Sequence, residues 1–525
     1  MNAKALISLI DGNVGHSLAV VDGERRIDYA TLSEDCRRMD HGLKEAGLKP
    51  GERVAIHAHS SYETIVALFG TASAGGVFIP VNRMLKPAQV QHIFADCEPR
   101  FFLANHEVLQ RFLPQLSAHH HELTSICLDT KTPKTTSDIG DQNWSSWRTS
   151  RVSDQTRVGS GENLCAIVYT SGSTGMPKGI MLSHNNLIVG ANSVNEYLGT
   201  IASDRLIAAL PFSFDAGLSQ LTTAFAAGAS VICHNYLLPQ DLLTELRRET
   251  ATGLTAVPSL WSQLCSLRDA QPVESLRYFA NTGGALAPAL RESLETLFPN
   301  AEPYLMYGFT EAFRGTYLEP SQVNSRPTSI GRAIPGARID VVTANGRTAE
   351  IDEPGELVQS GPHVAMGYWN NPMATAKKFR PLPAGLNPPT TDLRSAWSGD
   401  IVRRDADGYL FFIGRADEMI KTSGYRVSPE EIESVARESG YVDQVAALGL
   451  PDEALGARIV LLYSPASTID AAESKIRAHL ARELPRYMLP RHIVMLSNFP
   501  LNANGKPDRI TLREIVNEKL VDSDL

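Results

Sequence analysis

The stretch that decides the fold is Tyr169-Thr170-Ser171-Gly172-Ser173-Thr174-Gly175-Met176-Pro177-Lys178-Gly179. It follows an apolar run, Leu164 to Val168, that predicts a buried strand. The glycines let backbone N–H groups approach an anion, the hydroxyls donate further hydrogen bonds, and Lys178 adds a charge that suits phosphate. Such a loop can hold a polyphosphate, although Ser/Gly/Thr composition by itself also fits a flexible polar hairpin.

The stretch is not a Walker loop. That motif ends in Gly-Lys-Ser/Thr and runs directly into a helix. Here Pro177 precedes the lysine, Gly179 follows it, and Ile180-Met181-Leu182 predicts a second strand. The loop should therefore connect two strands.

Length and composition predict a cytoplasmic protein of more than one domain. The chain has 525 residues, 43% of them hydrophobic, and a net charge of −9, which argues against a nucleic-acid partner. Its six cysteines are scattered without a C-x-x-C pair, as expected of reduced thiols. The N-terminal apolar run is too short for a signal peptide, and the most apolar stretch, 65–81, is interrupted by polar residues and glycines. We expect no membrane span.

Strand and helix patterns alternate along most of the chain. Examples are a strand at 53–57, a helix at 62–74 and a strand at 77–81, and the alternation resumes after the loop. This predicts an α/β fold with layered, parallel sheets. We predict a large N-terminal domain, residues 1–416, and a small α+β C-terminal domain, residues 417–525.

Three segments are predicted to be irregular. Residues 129–163 are polar and read as a surface connection, with Trp144 and Trp147 holding it to the protein. The adjacent histidines 119–121 fit a solvated loop better than a metal site, because neighbouring side chains cannot share one face. The prolines of 381–395 predict an irregular insertion.

Two motifs in the second half suit a nucleotide. Asn281-Thr282-Gly283-Gly284-Ala285-Leu286 follows an apolar strand, and paired glycines let a flat ring approach the backbone. Met306-Tyr307-Gly308-Phe309-Thr310-Glu311 should mark a strand-to-loop junction. Its tyrosine can stack on adenine, its threonine can bond a phosphate, and its glutamate can hold Mg²⁺. Taken singly, the glycine pair also fits an ordinary turn, Tyr307 also fits a core tyrosine, and Glu311 also fits a surface glutamate.

Further candidates lie near the C-terminal end. Asp400, after Trp397-Ser398-Gly399, could accept both ribose hydroxyl protons or be a plain turn aspartate. Ser428, followed by Pro429 and Glu431, predicts a helix start with a cap, an N1 proline and an acid at N3. Lys506 lies in a predicted turn, where a solvated tail lysine is the alternative.

Together these blocks, from about residue 20 to 510, resemble the adenylate-forming superfamily in order and spacing. The family includes acyl-CoA synthetases, luciferases and the adenylation domains of peptide synthetases. The resemblance implies ATP as substrate, Mg²⁺ held by Glu311, and a mobile small domain. The nucleotide-binding set that it implies is Thr170, Ser171, Gly172, Ser173, Thr174, Gly175, Gly283, Gly284, Ala285, Tyr307, Gly308, Thr310, Asp400 and Arg415.

The same resemblance implies the remaining roles. Lys506 would be the catalytic lysine of the first half-reaction, assisted by Lys178, Thr310 and Glu311. Asp417 matches the hinge of the small domain. Gly424 and Arg426 match the loop that faces the thiol in the second half-reaction.

The acid substrate should bind near residues 210–221, by the same resemblance. The predicted pocket residues are Phe214, Asp215, Gly217 and Gly283. Many acyl-CoA synthetases carry His where this chain has Phe214. Amino-acid-activating members often have Phe-Asp here, the Asp pairing with the substrate ammonium, although Asp215 also fits a helix cap. The wider string looks similar to ligases described as exosortase-A-associated acyl-CoA ligases.

The resulting functional prediction is an AMP-forming acid–thiol ligase. In the first step a carboxylate would attack the α-phosphorus of ATP, and pyrophosphate would leave. In the second step the acyl group would be transferred to a thiol. Mg²⁺ and the charge of a lysine would stabilise the reacting phosphate. CoA is the first-choice acceptor, and an acyl or peptidyl carrier protein is the alternative. A third alternative, a non-catalytic nucleotide-binding module, conflicts with the presence of Lys506, Glu311 and the loop.

Overall fold

A computed structural model describes most of the chain. The described ranges are 5–13, 15–118, 122–129, 142–149, 161–170, 177–268, 270–383, 394–415, 419–466, 472–501 and 507–521. Several predicted features lie outside these ranges, namely the histidines 119–121, most of the 381–395 insertion, Ser171 to Gly175, Asp417 and Lys506.

The described elements alternate between helix and strand over most of the chain. The helices are α1 Ser8–Asp11, α2 Tyr29–Glu45, α3 Tyr62–Ser73, α4 Pro87–Cys97, α5 His106–Ser117, α6 Trp144–Trp147, α7 His184–Leu198, α8 Asp215–Ala227, α9 Pro239–Arg248, α10 Pro258–Cys265, α11 Pro288–Leu297, α12 Pro372–Lys378, α13 Pro429–Glu438, α14 Ala472–Glu483 and α15 Arg509–Val521.

The strands are β1 Leu18–Asp22, β2 Arg25–Asp28, β3 Arg53–His57, β4 Val77–Pro80, β5 Phe101–Ala104, β6 Thr124–Cys127, β7 Gln142–Asn143, β8 Leu164–Thr170, β9 Lys178–Ser183, β10 Arg205–Ala208, β11 Ser230–Cys233, β12 Gly253–Ala256, β13 Tyr278–Asn281, β14 Glu302–Tyr307, β15 Thr316–Leu318, β16 Ser329–Ala333, β17 Arg338–Val342, β18 Gly355–Ser360, β19 Gly367–Tyr368, β20 Ser395–Arg404, β21 Leu410–Arg415, β22 Ile420–Thr422, β23 Tyr425–Val427, β24 Val442–Asp452, β25 Gly456–Pro465 and β26 His492–Met495.

Two large sheets organise the first 415 residues. As far as the structure describes them, the larger has the strand order β17-β18-β20-β21-β16-β15-β14-β13-β12-β10-β11-β1-β2, and the smaller has the order β19-β9-β8-β4-β3-β5-β6-β7. In the larger sheet β1, β11, β10, β12, β13 and β14 are parallel neighbours, and antiparallel strands flank them. The prediction of a parallel sheet therefore holds for these six strands. It also holds for β8, β4, β3, β5, β6 and β7 of the smaller sheet, which are parallel neighbours.

The chain divides into two compact units. The larger comprises Met1–Arg83, Val90–Thr170 and Lys178–Ala416, and the smaller comprises Met84–Gln89, Ser171–Pro177 and Asp417–Leu525. The larger has its own buried core of aliphatic and aromatic side chains, and so does the smaller. The predicted fold class, an α/β protein with a large N-terminal and a smaller C-terminal domain, is confirmed. In the described ranges no helix is both long enough and apolar enough to cross a bilayer.

Local predictions hold where the hydrophobic period is clear. The strands around Gly23, helices α2 and α3, and strands β3 and β5 begin within a residue or two of their predicted starts. Helix α5 was not predicted, and it contains Pro114, which is unusual inside a helix. Helix α13 begins as predicted, with Ser428 at the N-cap and Pro429 at N1, but the Ser428 side chain makes no capping hydrogen bond.

The two tryptophans hold the 142–149 segment against helix α2, as predicted. Trp144 is fully buried and Trp147 nearly so. The Trp147 indole N–H donates to Gln142 Oε1 at 2.8 Å, and its ring covers Gly42 so closely that a Cβ there would lie 2.3 Å from ring carbon. Glycine at position 42 is therefore required for packing in the last turn of α2.

Gly42→Ala should destabilise the protein by roughly 1–3 kcal/mol, because the added methyl group overlaps the Trp147 ring. Without that overlap the same change would stabilise a helix by about 1 kcal/mol. Denaturant unfolding of the single variants and the Gly42→Ala/Trp147→Ala double variant tests this. If Gly42→Ala lowers the free energy of unfolding equally in the wild type and in Trp147→Ala, overlap with the Trp147 ring is not the cause of the destabilisation.

Three buried histidines predict a loss of stability in mild acid. Burial lowers the pKa of His184 to about 4, that of His363 to about 4 and that of His57 to about 3. His184 Nδ1 also accepts the Leu6 N–H at 3.1 Å, so protonation there would break a hydrogen bond. Below pH 6.5 these histidines bind protons in the unfolded chain but stay neutral in the folded chain. The free energy of unfolding therefore falls as the pH drops toward 4.

His184→Asn should reduce this acid sensitivity, since the Asn carbonyl can accept the same hydrogen bond without titrating. Between pH 7 and 4.5 the variant should lose about 2 kcal/mol less free energy of unfolding than the wild type. Urea titrations at both pH values measure the difference, with the partly exposed His41→Asn as control. An unchanged pH dependence would contradict the role of His184.

Candidate active site

The predicted phosphate loop connects two antiparallel strands. Strand β8 pairs with β9, and Thr170 and Lys178 are partners in register at the end of the hairpin where the loop joins the two strands. This geometry confirms that the segment is a strand–loop–strand unit and not a Walker loop. The loop residues Ser171 to Gly175 lie outside the described residues, so their phosphate role stays a prediction.

The predicted metal ligand, Glu311, is a buried carboxylate held by its neighbours. It lies in a 3₁₀ turn, Thr310–Ala312, shortly after β14, and the residue is 4% exposed. The Tyr368 hydroxyl donates to Glu311 Oε1 at 2.6 Å, and Lys378 Nζ lies 3.8 Å from the same oxygen. Lys178 Nζ lies 5.8 Å from the centre of the Tyr368 ring. Sequence reasoning missed Tyr368 and Lys378, because no local spacing connects them to Glu311.

The surroundings of Glu311 are compatible with Mg²⁺. The described residues contain no group of three or more His, Cys, Asp or Glu side chains arranged for a metal ion. Magnesium is usually held by one or two carboxylates, with phosphate oxygens and water completing its shell. A single buried glutamate is compatible with that mode of binding.

Tyr307, Asp400 and Arg415 form one buried cluster. Tyr307 ends β14 and donates its hydroxyl proton to Asp400 Oδ2 at 2.5 Å, while Arg415 pairs with Asp400 Oδ1 at 2.5 Å. Asp400 and Arg415 are register partners on β20 and β21. Burial, reinforced by the Asp400 charge, raises the pKa of Tyr307 well above its usual range, so the hydroxyl stays a donor. The alternative of a turn aspartate was wrong, because Asp400 lies within a strand.

The paired glycines form a tight turn after β13. The Asn281 amide donates to the Gly284 carbonyl at 2.8 Å, and Gly283 has φ +80°. A Cβ on Gly284 would lie 3.1 Å from the Pro258 ring, so the turn packs closely against the start of α10. Ala285 follows this turn. That a flat ring lies against this turn stays a prediction.

Gly308 is required by the turn that follows β14. A Cβ at this position would lie 2.8 Å from the Phe313 carbonyl oxygen. The chain folds back here, since Gly315 N–H donates to the Tyr307 carbonyl at 3.0 Å.

Asp215 is buried at the first position of α8. The N-cap is Phe214, which corrects the helix-cap alternative for Asp215. Its Oδ1 accepts the Ala216 N–H at 2.6 Å and its Oδ2 accepts the Thr310 hydroxyl at 2.9 Å. Asp215 is 7% exposed, and in the described part of the chain no cation pairs with it.

Gly217 has a packing role. A Cβ there would lie 1.8 Å from the Pro211 carbonyl oxygen, so only glycine lets α8 approach the preceding loop.

Gly424 and Arg426 belong to the smaller unit. They lie in the β22–β23 hairpin, where Ser423 with φ +50° and Gly424 with φ +82° form the turn. Positive φ at both central positions is typical of a two-residue hairpin.

Direct contacts connect two of the described candidates, Asp215 and Asp400, to one short segment, 307–314, which itself holds Tyr307, Gly308, Thr310 and Glu311. Tyr307 contacts Asp400, Thr310 contacts Asp215, and Glu311 contacts Tyr368. Arg314, a residue that sequence reasoning did not single out, donates to the Thr282 hydroxyl at 3.3 Å. The arrangement combines hydroxyls, carboxylates and cations suited to a phosphorylated ligand and an acid.

Comparisons with known proteins agree with this geometry. The family profile described as AMP-binding enzyme matches residues 12–369, and that of the AMP-binding enzyme C-terminal domain matches residues 431–506. Tyrocidine synthase 3 of Brevibacillus parabrevis is 29% identical over 497 residues, which are 94% of this chain and 7% of that protein. The probable non-canonical nonribosomal peptide synthetase CymA of Salinispora arenicola is 31% identical over 504 residues, 94% of this chain and 6% of CymA.

The chain thus spans less than a tenth of the length of these relatives. Among solved structures, the amide bond synthetase McbA from Marinactinospora thermotolerans has the same fold, with a TM-score of 0.85 at 22% identity over 97% of this chain and 99% of McbA. The AMP-binding profile covers more than half of the sequence. This protein therefore belongs to the AMP-binding enzyme family, within the adenylate-forming superfamily.

Proposed function

We propose that this chain activates a small carboxylic acid as an acyl-adenylate and then transfers the acyl group to a thiol. A carboxylate oxygen of the acid bonds to the α-phosphorus of ATP and the bond to pyrophosphate breaks. The thiol sulfur then bonds to the acyl carbon, and AMP leaves. The observation that carries the proposal is the set of contacts from segment 307–314 to Asp215, Asp400 and Tyr368.

Each contact suits one part of this chemistry. Glu311, buried next to a tyrosine hydroxyl and a lysine, would hold Mg²⁺ together with phosphate oxygens. Asp400, fixed by Tyr307 and Arg415, presents a carboxylate suited to ribose hydroxyls. Lys178 supplies positive charge at the base of the phosphate loop. The first step requires a positive charge at the α-phosphate. By sequence resemblance, Lys506 is the residue that supplies it.

The thiol acceptor is proposed to be a phosphopantetheine arm, which is carried either by CoA or by a carrier protein. The resemblance in sequence favours CoA as the acceptor. Asp215 favours a second candidate function, in which an amino acid is activated and transferred to a carrier protein. A buried carboxylate that bonds only neutral donors is costly unless a ligand supplies a cation. The ammonium group of an amino acid would be that cation. The relative named as a peptide synthetase is consistent with this candidate.

Lys506→Ala should leave ATP binding largely intact while slowing acyl-adenylate formation by at least about 100-fold, because one charge at the reacting phosphate stabilises the transition state by several kcal/mol. Pyrophosphate exchange measures the first step, and thioester formation from presynthesised acyl-adenylate measures the second. The second step should survive, and the exposed Lys377→Ala should change neither. Equal losses in both steps would rule out the assigned role.

Asp215→Asn distinguishes the two candidate substrate classes, because it removes the charge at nearly constant volume. If the substrate is an amino acid, the variant should show a KM raised about 10- to 100-fold for that acid, since a charged hydrogen bond is lost. Its KM for the matched acid without the amino group should change little. The measurement is pyrophosphate exchange on both acids, with the exposed Asp443→Asn as control. Unchanged selectivity would exclude the amino-acid candidate and leave the simple-acid, CoA candidate.

A further inference from the structure

Helix α4 ends beside the hairpin that carries the predicted phosphate loop. The Tyr169 hydroxyl donates to Oδ2 of Asp96, the last residue but one of this helix, at 2.6 Å. Tyr169 is the first residue of the motif 169–179, whereas sequence reasoning gave Asp96 no role. Burial is the main cause that raises the pKa of Tyr169 well above its usual range. The hydroxyl therefore stays a proton donor to the Asp96 carboxylate.

Tyr169 also lies against the opposite strand of the hairpin. Its register partner on β9 is Gly179, where a Cβ would lie 3.0 Å from the Tyr169 ring. The Gly179 carbonyl accepts the Trp369 N–H at 2.7 Å. Lys178 directly precedes Gly179, so contacts from outside the hairpin hold both strands close to this lysine.

The backbone carbonyl of Asp96 accepts two further hydrogen bonds. Trp369 Nε1 donates to it at 3.0 Å, and Asn370 Nδ2 donates to it at 2.9 Å. The carboxylate of Asp96 thus holds β8 through Tyr169, and its carbonyl holds the segment that bonds β9. One residue of α4 connects both strands of the hairpin to segment 368–370, and all these residues belong to the larger unit.

Segment 368–370 also reaches the candidate magnesium ligand. The Tyr368 hydroxyl donates to Glu311 Oε1 at 2.6 Å, and the centre of the Tyr368 ring lies 5.8 Å from Lys178 Nζ. The two groups assigned to Mg²⁺ and to phosphate therefore share one neighbour, which directly precedes Trp369. Through this segment, contacts that start at Asp96 reach both groups.

The local preference of a helix opposes an aspartate at position 96. A negative charge in the last turn is disfavoured by the helix dipole, and aspartate is a weak helix former. The end of α4 is already closed by Arg53, which donates to the carbonyls of Cys97 at 2.7 Å and Glu98 at 3.0 Å. The carboxylate of Asp96 is therefore not needed to end the helix, and its bond to Tyr169 offsets the local cost.

We infer that Asp96 is a positioning residue for the nucleotide, which fixes Lys178 and Glu311 relative to each other through Tyr169 and Trp369. The inference rests on the proposed adenylate formation and adds a residue that does not touch the reacting atoms. Phosphate and metal must be held in one geometry for attack at the α-phosphorus. A displacement of about 1 Å can slow such a reaction roughly 100-fold.

Three variants isolate the contact between Asp96 and Tyr169. In pyrophosphate exchange, Asp96→Ala and Tyr169→Phe should each lower kcat/KM for ATP by about 10- to 100-fold, because the hairpin is no longer fixed. The KM for the acid should not change, since the candidate acid site at Asp215 makes none of these contacts. Asp96→Asn keeps an acceptor for the hydroxyl and should recover most of the loss. The double variant Asp96→Ala/Tyr169→Phe should lose no more than either single variant.

A second tyrosine–carboxylate pair of the larger unit gives a matched control. The Tyr409 hydroxyl donates to Glu319 Oε1 at 2.5 Å, outside the candidate site. Tyr409→Phe and Glu319→Ala remove the same kind of hydrogen bond and should lower the melting temperature about as much as the variants of the first pair. They should leave kcat/KM for ATP unchanged. A loss of activity that follows the melting temperature in both pairs would show a merely structural role and overturn the inference.

Binding of Mg²⁺ with a non-hydrolysable ATP analogue gives a measurement that needs no turnover. By calorimetric titration, Asp96→Ala and Tyr169→Phe should bind the analogue more weakly than the wild type, and Asp96→Asn should bind it nearly as well.

The outcomes separate the inference from the proposed function. Wild-type ATP kinetics in Asp96→Ala and Tyr169→Phe, equal losses for ATP and acid, or additive losses in the double variant would overturn the inference and leave acid activation standing. If no acid supports exchange in the wild type, the proposed function fails. In that case the affinity for the analogue still decides whether Asp96 positions the groups that bind the nucleotide.

Discussion

The candidate site of the larger unit depends on one chain reversal. Strand β14 ends at Tyr307 and its antiparallel partner β15 begins at Thr316, with these two residues in register. The connection must turn back within eight residues inside the protein, which requires Gly308 and forces Phe313 to positive φ. Because the reversal is so constrained, its side chains point to fixed neighbours on several other segments of the larger unit. A looser loop could not present Tyr307, Thr310, Glu311 and Arg314 to separate partners.

Packing around this reversal is tight at several points. Gly190 leaves room for the Phe313 ring, and Gly315 lies 3.1 Å, measured from an ideal Cβ, from Gln359 Oε1. Gln359 itself is completely buried and bonds two carbonyls of the reversal. Interiors packed at this density transmit small displacements directly. We therefore regard Gln359 as a positioning residue for the reversal.

Charge is distributed unequally over the site. Asp400 is paired with the Arg415 cation and accepts a hydrogen bond from Tyr307, so the charges of this cluster are balanced before any ligand binds. Asp215 and Arg314, by contrast, carry opposite charges, and neither has an ionic partner among the described residues. The first arrangement stabilises the fold, and the second costs stability.

The sequence by itself determined the local structure and the family. The period of apolar residues predicted helices α2 and α3 and their neighbouring strands, because each signal lies within a few turns of chain. The glycine and hydroxyl motif at 169–179 indicated an anion loop between strands and, with the later motifs, the adenylate-forming superfamily. Helix α5 was not predicted, although its buried residues Val108, Leu109, Phe112 and Leu116 keep a helical spacing.

Only the tertiary structure decided which side chains meet. Asp215 and Thr310 are 95 residues apart in sequence, and Glu311 and Tyr368 are 57 apart, yet each pair is hydrogen-bonded. The sequence did not mark Arg314, because burial and the lack of an acidic partner are properties of the folded surroundings. A residue's chemistry is local, but its charge balance depends on contacts between distant segments, and these exist only once the sheets and helices have packed.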